Sequence, residues 1–154
     1  MVGTRLPVLV FAVLVLTACA SGQSVRPLPV PYDVAIAPPA VDLTPELALF
    51  SGTWEGAWDG ALLARLIVER IDSTSARVVY IWGDSPEGQF RAGWGRFSAK
   101  VLPGGKIQWG GETRFTFTLG KDRTSIHGER EQKPERWENT GIINVVTMQK
   151  IGGG

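Results

Sequence analysis

The amino-acid sequence predicts an all-β domain that forms an eight-stranded antiparallel up-and-down barrel after a short helical turn. Beyond Gly52, turn-forming residues recur at intervals of about ten residues or fewer. The segments between these turns have strand composition, and several alternate apolar and polar residues. A meander of short strands closes most economically into a barrel, because closure removes both sheet edges. An open sheet and a sandwich are the alternatives.

Length, composition and charge are those of one globular domain. The chain has 154 residues, enough for a single core, and its 16 basic and 15 acidic residues give a formal charge of +1. This balance provides no basic surface for nucleic acid, so we expect no nucleic-acid partner. The 19 glycines, ten prolines and six tryptophans are the unusual features, and they cluster by region.

Residues 1–18 have the features of a lipoprotein signal peptide. Arg5 supplies a positive charge, and the apolar run from Val8 to Leu16 is shorter than the about 20 residues that a transmembrane helix needs. The "LTAC" that ends at Cys19 resembles the lipobox of bacterial lipoproteins. This resemblance implies cleavage before Cys19 and attachment of membrane lipid to that cysteine. A soluble secreted protein is the alternative.

The residue after Cys19 bears on the membrane that would hold the anchor. In many bacteria with two membranes, an aspartate at this place favours retention in the inner membrane, whereas here the residue is Ala20. By that family rule, the lipidated protein is expected in the outer membrane, facing the periplasm. The inner membrane stays open as an alternative, because the sequence does not reveal the type of bacterium.

Residues 19–43 form the predicted tether, and residues 44–151 form the barrel domain. The tether carries prolines at positions 27, 29, 31, 38 and 39, which favour an extended, semi-rigid spacer. Thr44 is placed to cap a short helical turn over Pro45 to Leu49, because proline is favoured at the first helical position.

Eight strands are predicted after this turn. Alternation places Trp54 and Trp58 on one face of the first strand. Two segments, Leu62 to Val68 and Ile142 to Val146, are apolar on both faces, so either the proline-rich tether covers them or they form a contact surface. The predicted strands are Gly52 to Trp58, Leu62 to Ile71, Ala76 to Trp82, Phe90 to Leu102, Lys106 to Trp109, Thr113 to Leu119, Ser125 to Glu131 and Trp137 to Ile151.

A helical turn followed by "GTW" at the start of a β-meander resembles the calycin group, which includes lipocalins, fatty-acid-binding proteins and avidins. In those barrels the tryptophan of the Gly-x-Trp motif packs across the closed end. The resemblance therefore implies structural roles for Gly52 and Trp54. The chain departs from the group in two respects: it has no counterpart of the lipocalin Thr-Asp-Tyr motif, and Lys150, not an arginine, is the basic residue of the last strand nearest to Trp54.

The residues that could support catalysis do not form a recognisable site. His127 is the only histidine, and Ser85 lies in a predicted hairpin turn followed by Pro86. Glu129 and Glu131 alternate with basic residues, which is typical of a solvated hairpin. The sequence also lacks a His/Cys cluster and a phosphate-binding glycine loop. We therefore expect no enzymatic activity, no metal and no cofactor.

Aromatic residues are the remaining functional signal. The candidate ligand contacts are Trp58, Tyr80, Trp82, Trp94, Arg96 and Trp109, with core packing as the alternative for the tryptophans. In "FRAGWGRF", Phe90 to Phe97, the side chains of Trp94 and Arg96 share one face, and the glycines on the other face permit a close approach. An inward Arg96 would need a buried carboxylate partner or an anionic ligand.

These features predict a membrane-anchored, non-enzymatic periplasmic lipoprotein whose lipocalin-like barrel binds a hydrophobic or amphipathic small molecule. The alternative is a barrel filled by its own side chains that binds an envelope protein or a glycan, as an inhibitory module or otherwise.

Overall fold

The computed structural model describes residues 26–133 and 142–152, which form a closed antiparallel β-barrel. Two of the sequence predictions lie outside this range. One is the lipid attachment at Cys19, and the other is the start of the last strand at Trp137, which is within residues 134–141. A short helix α1 (Pro45–Ala48) precedes β1 (Gly52–Trp58), β2 (Leu62–Ile71), β3 (Ser75–Trp82), β4 (Gly93–Leu102), β5 (Lys106–Gly110), β6 (Thr113–Leu119), β7 (Ser125–Gln132) and β8 (Ile142–Gly152).

The strands pair in sequence order, and β1 pairs with β8 to close the barrel. The prediction of an all-β, up-and-down barrel is thereby confirmed, and the open sheet and the sandwich are excluded. Thr44 caps α1 by accepting a hydrogen bond from the Leu47 amide at 3.4 Å. In the part of the chain described, no helix is long and apolar enough to cross a bilayer.

The fourth strand begins at Gly93, three residues later than predicted. The preceding backbone groups form hydrogen bonds within the loop instead of with β3. The Phe90 amide donates to Oγ of Ser85 at 3.1 Å, and the Ala92 amide donates to Oδ1 of Asp84 at 2.9 Å. Because the loop satisfies these donors, strand pairing starts only where Gly93 lies opposite Trp82.

Alternate side chains of all eight strands point into the barrel and fill it. Met148 of β8 and Ile126 of β7 are paired across the sheet, and both are fully buried. The other large buried side chains of this interior cluster are Phe50, Trp54, Trp58, Leu66, Val68, Ile71, Val78, Tyr80, Ile107, Trp109 and Phe117.

The proline-rich segment from residue 26 to residue 37, here called the strap, covers the outer face of β2 and β3. Its Leu28, Val34 and Ile36 pack with Leu63, Ile67, Val79 and Ile81 in a second apolar cluster outside the barrel. The strap therefore covers the two-sided apolar segment of β2, which is one of the two explanations that the sequence left open.

An ionic cluster fastens the middle of the strap to the barrel. The guanidinium of Arg96 donates to both carboxylate oxygens of Asp33, at 3.1 and 3.0 Å. It also donates to Glu69, at 3.0 and 3.1 Å, and Nε of Arg77 lies 3.2 Å from the same carboxylate. Glu69 is only 5% exposed. A buried carboxylate is tolerated when it is paired, and here two arginines surround it.

Candidate functional site

The two ends of the barrel differ. The closed end consists of α1, the start of β1 and the turns that join β2 to β3, β4 to β5 and β6 to β7. The open end carries the turn from β1 to β2, the longer loop from β3 to β4, and the turn from β5 to β6.

Trp54 seals the closed end. Its ring is fully buried, and its Nε1 donates to the carbonyl oxygen of Phe50 at 2.8 Å. Nζ of Lys150 lies 5.1 Å from the ring centroid and donates to the carbonyl oxygen of Leu49 at 3.0 Å. Burial lowers the pKa of Lys150, because desolvation disfavours the ammonium ion. The basic residue of the last strand that lies over the Trp54 ring is thus Lys150 and not an arginine.

Gly52 is required by the geometry of the same end. Its φ angle is +116°, in the region that glycine adopts readily. A Cβ at this position would lie 2.7 Å from the carbonyl oxygen of Gly152. The structure therefore places both residues of the Gly-x-Trp motif in the closed end and away from any open pocket.

Aromatic rings fill the middle of the barrel. Trp109 stacks on Phe115 and Phe117, with centroid distances of 5.3 and 5.4 Å. Trp58 meets both phenylalanines edge-on at 6.1 and 6.0 Å. Nε1 of Trp109 has no hydrogen-bond partner among residues 26–133 and 142–152. Because these rings occupy the middle of the barrel, a ligand that enters from the open end can reach no deeper than this cluster.

Trp58 and Tyr80 are joined by a buried hydrogen bond. Nε1 of Trp58 donates to the Tyr80 hydroxyl oxygen at 2.7 Å. Burial raises the pKa of Tyr80 to about 12, although the hydrogen bond from Trp58 acts in the opposite direction. The phenol is therefore neutral at physiological pH, and the pair forms a polar link inside the aromatic cluster.

A pocket of about 330 Å³ lies directly above this cluster. Its size is at the lower end of the range of about 300–1,000 Å³ that small-molecule sites occupy. Five aromatic rings and one guanidinium surround it, which is a suitable lining for a compact apolar body with one anionic group. Its lining residues are Leu62, Tyr80, Trp82, Phe90, Phe97, Phe115 and Arg130.

A second pocket of about 370 Å³ adjoins the first at the open end. The two share Leu62, Phe90 and Arg130, so they are two parts of one depression. We call this combined depression the mouth of the barrel. The second part contains the polar side chains of Asp59 and Asn144 and therefore offers hydrogen-bonding groups that the aromatic part lacks.

Two glycines of β4 make room for the aromatic wall of the mouth. A Cβ on Gly93 would lie 2.8 Å from the Trp82 ring, and a Cβ on Gly95 would lie 2.6 Å from the Phe97 ring. The Trp82 ring packs on Tyr80 at 6.0 Å, and its Nε1 donates to the carbonyl oxygen of Arg91 at 3.0 Å. These contacts set the orientation of the indole, which is part of the pocket wall.

Arg130 is the charged residue of the aromatic pocket, and it is not among the ligand contacts that the sequence predicts. It lies opposite Phe115 in the register of β6 and β7, and its Nε donates to Oδ1 of Asn144 at 3.1 Å. Nδ2 of Asn144 in turn donates to Asp59 at 2.5 Å. Within the described residues, Arg130 forms no ion pair with a carboxylate. Its guanidinium thus retains hydrogen-bond donors for a ligand.

Arg130 is not recognisable as a pocket residue in the sequence, because the charge-rich stretch around it resembles a solvated hairpin. The signal for the strand face on which Arg130 lies is spacing, because Arg130 follows Gly128 by two residues and Ile126 by four residues. Both of these are buried, and Gly128 lies under the Phe117 ring. Alternation therefore places Arg130 on the interior face of β7.

The structure separates Trp94 and Arg96 from the other candidate ligand contacts. In the register of β3 and β4 they lie opposite Ile81 and Val79, which belong to the outer apolar cluster. Both side chains are therefore on the outside of the barrel, where the Arg96 guanidinium lies 5.9 Å from the Trp94 ring centroid. Of the two partners that an inward Arg96 would need, the structure supplies a buried carboxylate, Glu69, but the side chain points outward, because Glu69 and Asp33 lie on the outer face. The remaining candidates, Trp58, Tyr80, Trp82 and Trp109, line the mouth or lie beneath it.

A larger groove of about 800 Å³ lies at the closed end. It is bordered mainly by turns and contains no aromatic side chain. Its Arg123 already pairs with Glu46 of α1 at 2.7 Å, so that guanidinium is neutralised within the protein. The mouth, with its aromatic walls and its arginine, is the better candidate for ligand recognition.

Ser85 and His127 have local structural partners. The Ser85 hydroxyl accepts the Phe90 amide in the β3–β4 loop, and Nδ1 of His127 lies 3.1 Å from the Thr147 hydroxyl on the outer surface. In the described part of the chain, no group of three or more metal-ligating side chains is present.

Comparison with known proteins gives neither a family nor a function for this chain. No protein-family model matches the chain, and no curated protein is significantly similar to it in sequence. The mouth and the sequence motifs therefore carry the functional argument.

Proposed function

We propose that this protein is a membrane-anchored lipoprotein whose calycin-like barrel binds a hydrophobic or amphipathic small molecule in its mouth. The anchor is the acylated Cys19, and the location is the outer membrane, facing the periplasm. The single observation that carries the binding proposal is the aromatic pocket of about 330 Å³ with Arg130 in its wall.

The mouth supports a compact ligand. The ring cluster of Trp58, Trp109 and Phe117 lies beneath the pocket and blocks the interior, so a long chain has no path through the barrel. Stacking on Trp82 and Phe115 suits a ring or a short apolar body. The Arg130 guanidinium suits a carboxylate, sulfonate or phosphate, because these anions accept its paired N–H groups.

A second candidate function is recognition of an envelope protein or a glycan by the outer surface of the barrel. It is favoured by the filled interior and by the exposed apolar side chains of β8, Ile143, Val145 and Ile151. Exposed apolar side chains on one strand are a common feature of protein contact surfaces.

The anchor is tested by replacing Cys19 with serine in the full-length protein. We expect the wild-type protein in the membrane fraction and Cys19→Ser in the soluble fraction, because serine provides no thiol for lipid attachment. Fractionation followed by mass measurement of the N-terminal peptide distinguishes the two forms. A wild-type peptide without acyl mass would contradict the proposal.

The binding site is tested with a soluble form of the chain that begins at Ala20 and with two fluorescent probes. One is the anionic 1-anilinonaphthalene-8-sulfonate, and the other is the uncharged N-phenyl-1-naphthylamine. We expect both to bind with a blue shift of their emission. Arg130→Ala should weaken binding of the sulfonate about tenfold, since a hydrogen bond to a charged group contributes about 1.5–3 kcal/mol. Binding of the uncharged probe should change little.

The matched control is Arg114→Ala. Arg114 lies on the outer surface of β6 and pairs with Glu131 at 3.4 Å. This variant removes the same charge without touching the mouth, so both probes should bind it as they bind the wild type. If neither probe binds, or if the two arginine variants behave alike, the small-molecule site is wrong and the outer-surface function is favoured.

A further inference from the structure

The strap runs from the open end of the barrel to the closed end. At its start, Leu28 packs beside Leu63 and Gly83, at the open ends of β2 and β3. A Cβ on Gly83 would lie only 3.6 Å from Cδ2 of Leu28. At its end, the Ala37 amide donates to the carbonyl oxygen of Glu69 at 2.8 Å, near the closed end of β2. The chain therefore enters the domain at the rim of the mouth.

The strap is fastened at several points along this path. Val34 and Ile36 pack on the outer apolar cluster, and Asp33 forms two hydrogen bonds with Arg96. The hydrogen bond from Arg96 lowers the pKa of Asp33, so the carboxylate stays charged to a lower pH than a free aspartate does. Packing and ion pairing thus hold the strap in one direction on the barrel.

The fastened strap restricts where an anchored barrel can lie. Only six residues lie between Cys19 and Arg26, the first described residue. The nine steps along the chain from Cys19 to Leu28 span at most about 32 Å when fully extended. With Leu28 held at the rim, the open end must stay within about this distance of a lipid attached to Cys19. A free tether from Cys19 to Thr44 would span about 85 Å and impose no orientation.

Exposed apolar side chains are also present at this end of the barrel. Phe90 lies in the β3–β4 loop, Trp94 follows the start of β4, and Val30 is near the start of the strap. Ile143 and Val145 lie near the start of β8, at the same end. Aromatic and aliphatic side chains of this kind are stable at the interface between lipid headgroups and acyl chains.

We propose that the strap turns the mouth of the barrel toward the bilayer, so that the open rim is a membrane-facing surface and the ligand exchanges directly with the lipid layer. This inference rests on the proposed anchor at Cys19. Its occupant is a lipid bilayer surface, and it makes the ligand an amphiphile that enters the mouth from the membrane.

Energy transfer to the bilayer tests the orientation in the intact lipoprotein. Acylation blocks the only native thiol, so a donor dye can be attached to a single introduced cysteine. Glu87→Cys places the dye at the open end, and Lys121→Cys places it in the turn between β6 and β7 at the closed end. Each labelled protein is reconstituted into vesicles of phosphatidylethanolamine and phosphatidylglycerol that carry a headgroup-labelled acceptor lipid.

We expect higher transfer efficiency from Glu87→Cys than from Lys121→Cys, because a ten-residue strand tilted in a barrel separates the two ends by about 25 Å. The difference should disappear when Asp33→Ala and Ile36→Asp are added. These changes release the strap and lie outside every barrel strand, so the circular dichroism of the barrel should be retained.

The outcomes separate the inference from the proposed function. If the protein is acylated and vesicle-bound but both positions transfer equally, or the closed end transfers more, the membrane-facing mouth is wrong while the anchor stands. If the wild-type protein is not acylated and does not bind vesicles, the anchor and the inference both fall. If the transfer efficiency from Glu87→Cys is still the higher one after the strap is released, the strap is not the cause of the orientation.

Discussion

Replacing Trp54 with alanine is expected to lower the free energy of unfolding by about 3–5 kcal/mol. The indole is fully buried and seals the closed end of the barrel. Its removal leaves a cavity, and it deprives Nζ of Lys150 of the ring over which it lies. The Phe50 carbonyl also loses its hydrogen bond from Nε1. Packing, cation–π and hydrogen-bond losses therefore coincide at one residue.

Urea unfolding of the soluble form beginning at Ala20, followed by circular dichroism, measures this effect. Trp94→Ala is the matched control, because it deletes the same atoms from an indole that is 45% exposed on the outside of the barrel. We expect it to cost less than about 1 kcal/mol, as most surface substitutions do. Equal losses in the two variants would show that the closed end does not depend on the Trp54 seal.

Local sequence signals are sufficient to predict the barrel. Glycine, proline and aspartate at the turns set the strand limits, and alternation shows which residues of a strand share a face. The fourth strand is the exception, because its predicted start at Phe90 depends on whether backbone amides bond to a neighbouring strand or to the side chains of Asp84 and Ser85. Composition does not distinguish these two sets of partners.

The candidate site is less predictable, because alternation divides a strand into two faces without showing which one points inward. In β4, one face carries Trp94 and Arg96 and the other carries Gly93, Gly95 and Phe97. The tryptophan and arginine face is the more conspicuous in the sequence, yet it is the outer face. The deciding contact joins Arg96 to Asp33, 63 residues away, and local sequence does not reveal it.

The filled interior determines where the chemistry of the molecule can take place. Trp58 and Trp109, for which the sequence leaves core packing and ligand contact equally open, form the floor of the mouth through stacking and a hydrogen bond to Tyr80. The guanidinium that faces the pocket is Arg130, not Arg96. The aromatic residues that build the core therefore also shape the pocket, so changes to them affect stability as well as binding.

Tyr80→Phe is expected to lower the free energy of unfolding by about 1–3 kcal/mol at neutral pH. The substitution keeps the ring but removes the oxygen that accepts the hydrogen bond from Nε1 of Trp58. That indole N–H then stays buried without a partner, since Trp58 and Tyr80 are both inside the barrel. Tyr32→Phe is the matched control, because Tyr32 is the only other tyrosine and is fully exposed on the strap. We expect it to change the stability by less than about 0.5 kcal/mol.

The buried phenol of Tyr80 should also make the free energy of unfolding of the wild-type protein depend on pH in the alkaline range. Burial raises the pKa of Tyr80 to about 12, compared with about 10 for an unfolded tyrosine. The pKa of Tyr80 is higher in the folded state than in the unfolded state. The contribution of the neutral phenol to the free energy of unfolding is therefore complete below pH 10 and is lost as the pH rises through 12. A difference of about two pKa units corresponds to a loss of about 3 kcal/mol in the free energy of unfolding, which Tyr80→Phe cannot undergo. The stability gap between the wild type and Tyr80→Phe should therefore narrow between pH 10 and 12, as measured by urea unfolding at each pH. A constant gap would contradict the buried, neutral phenol, and a gap equal to that of Tyr32→Phe at neutral pH would contradict the contribution of its hydrogen bond.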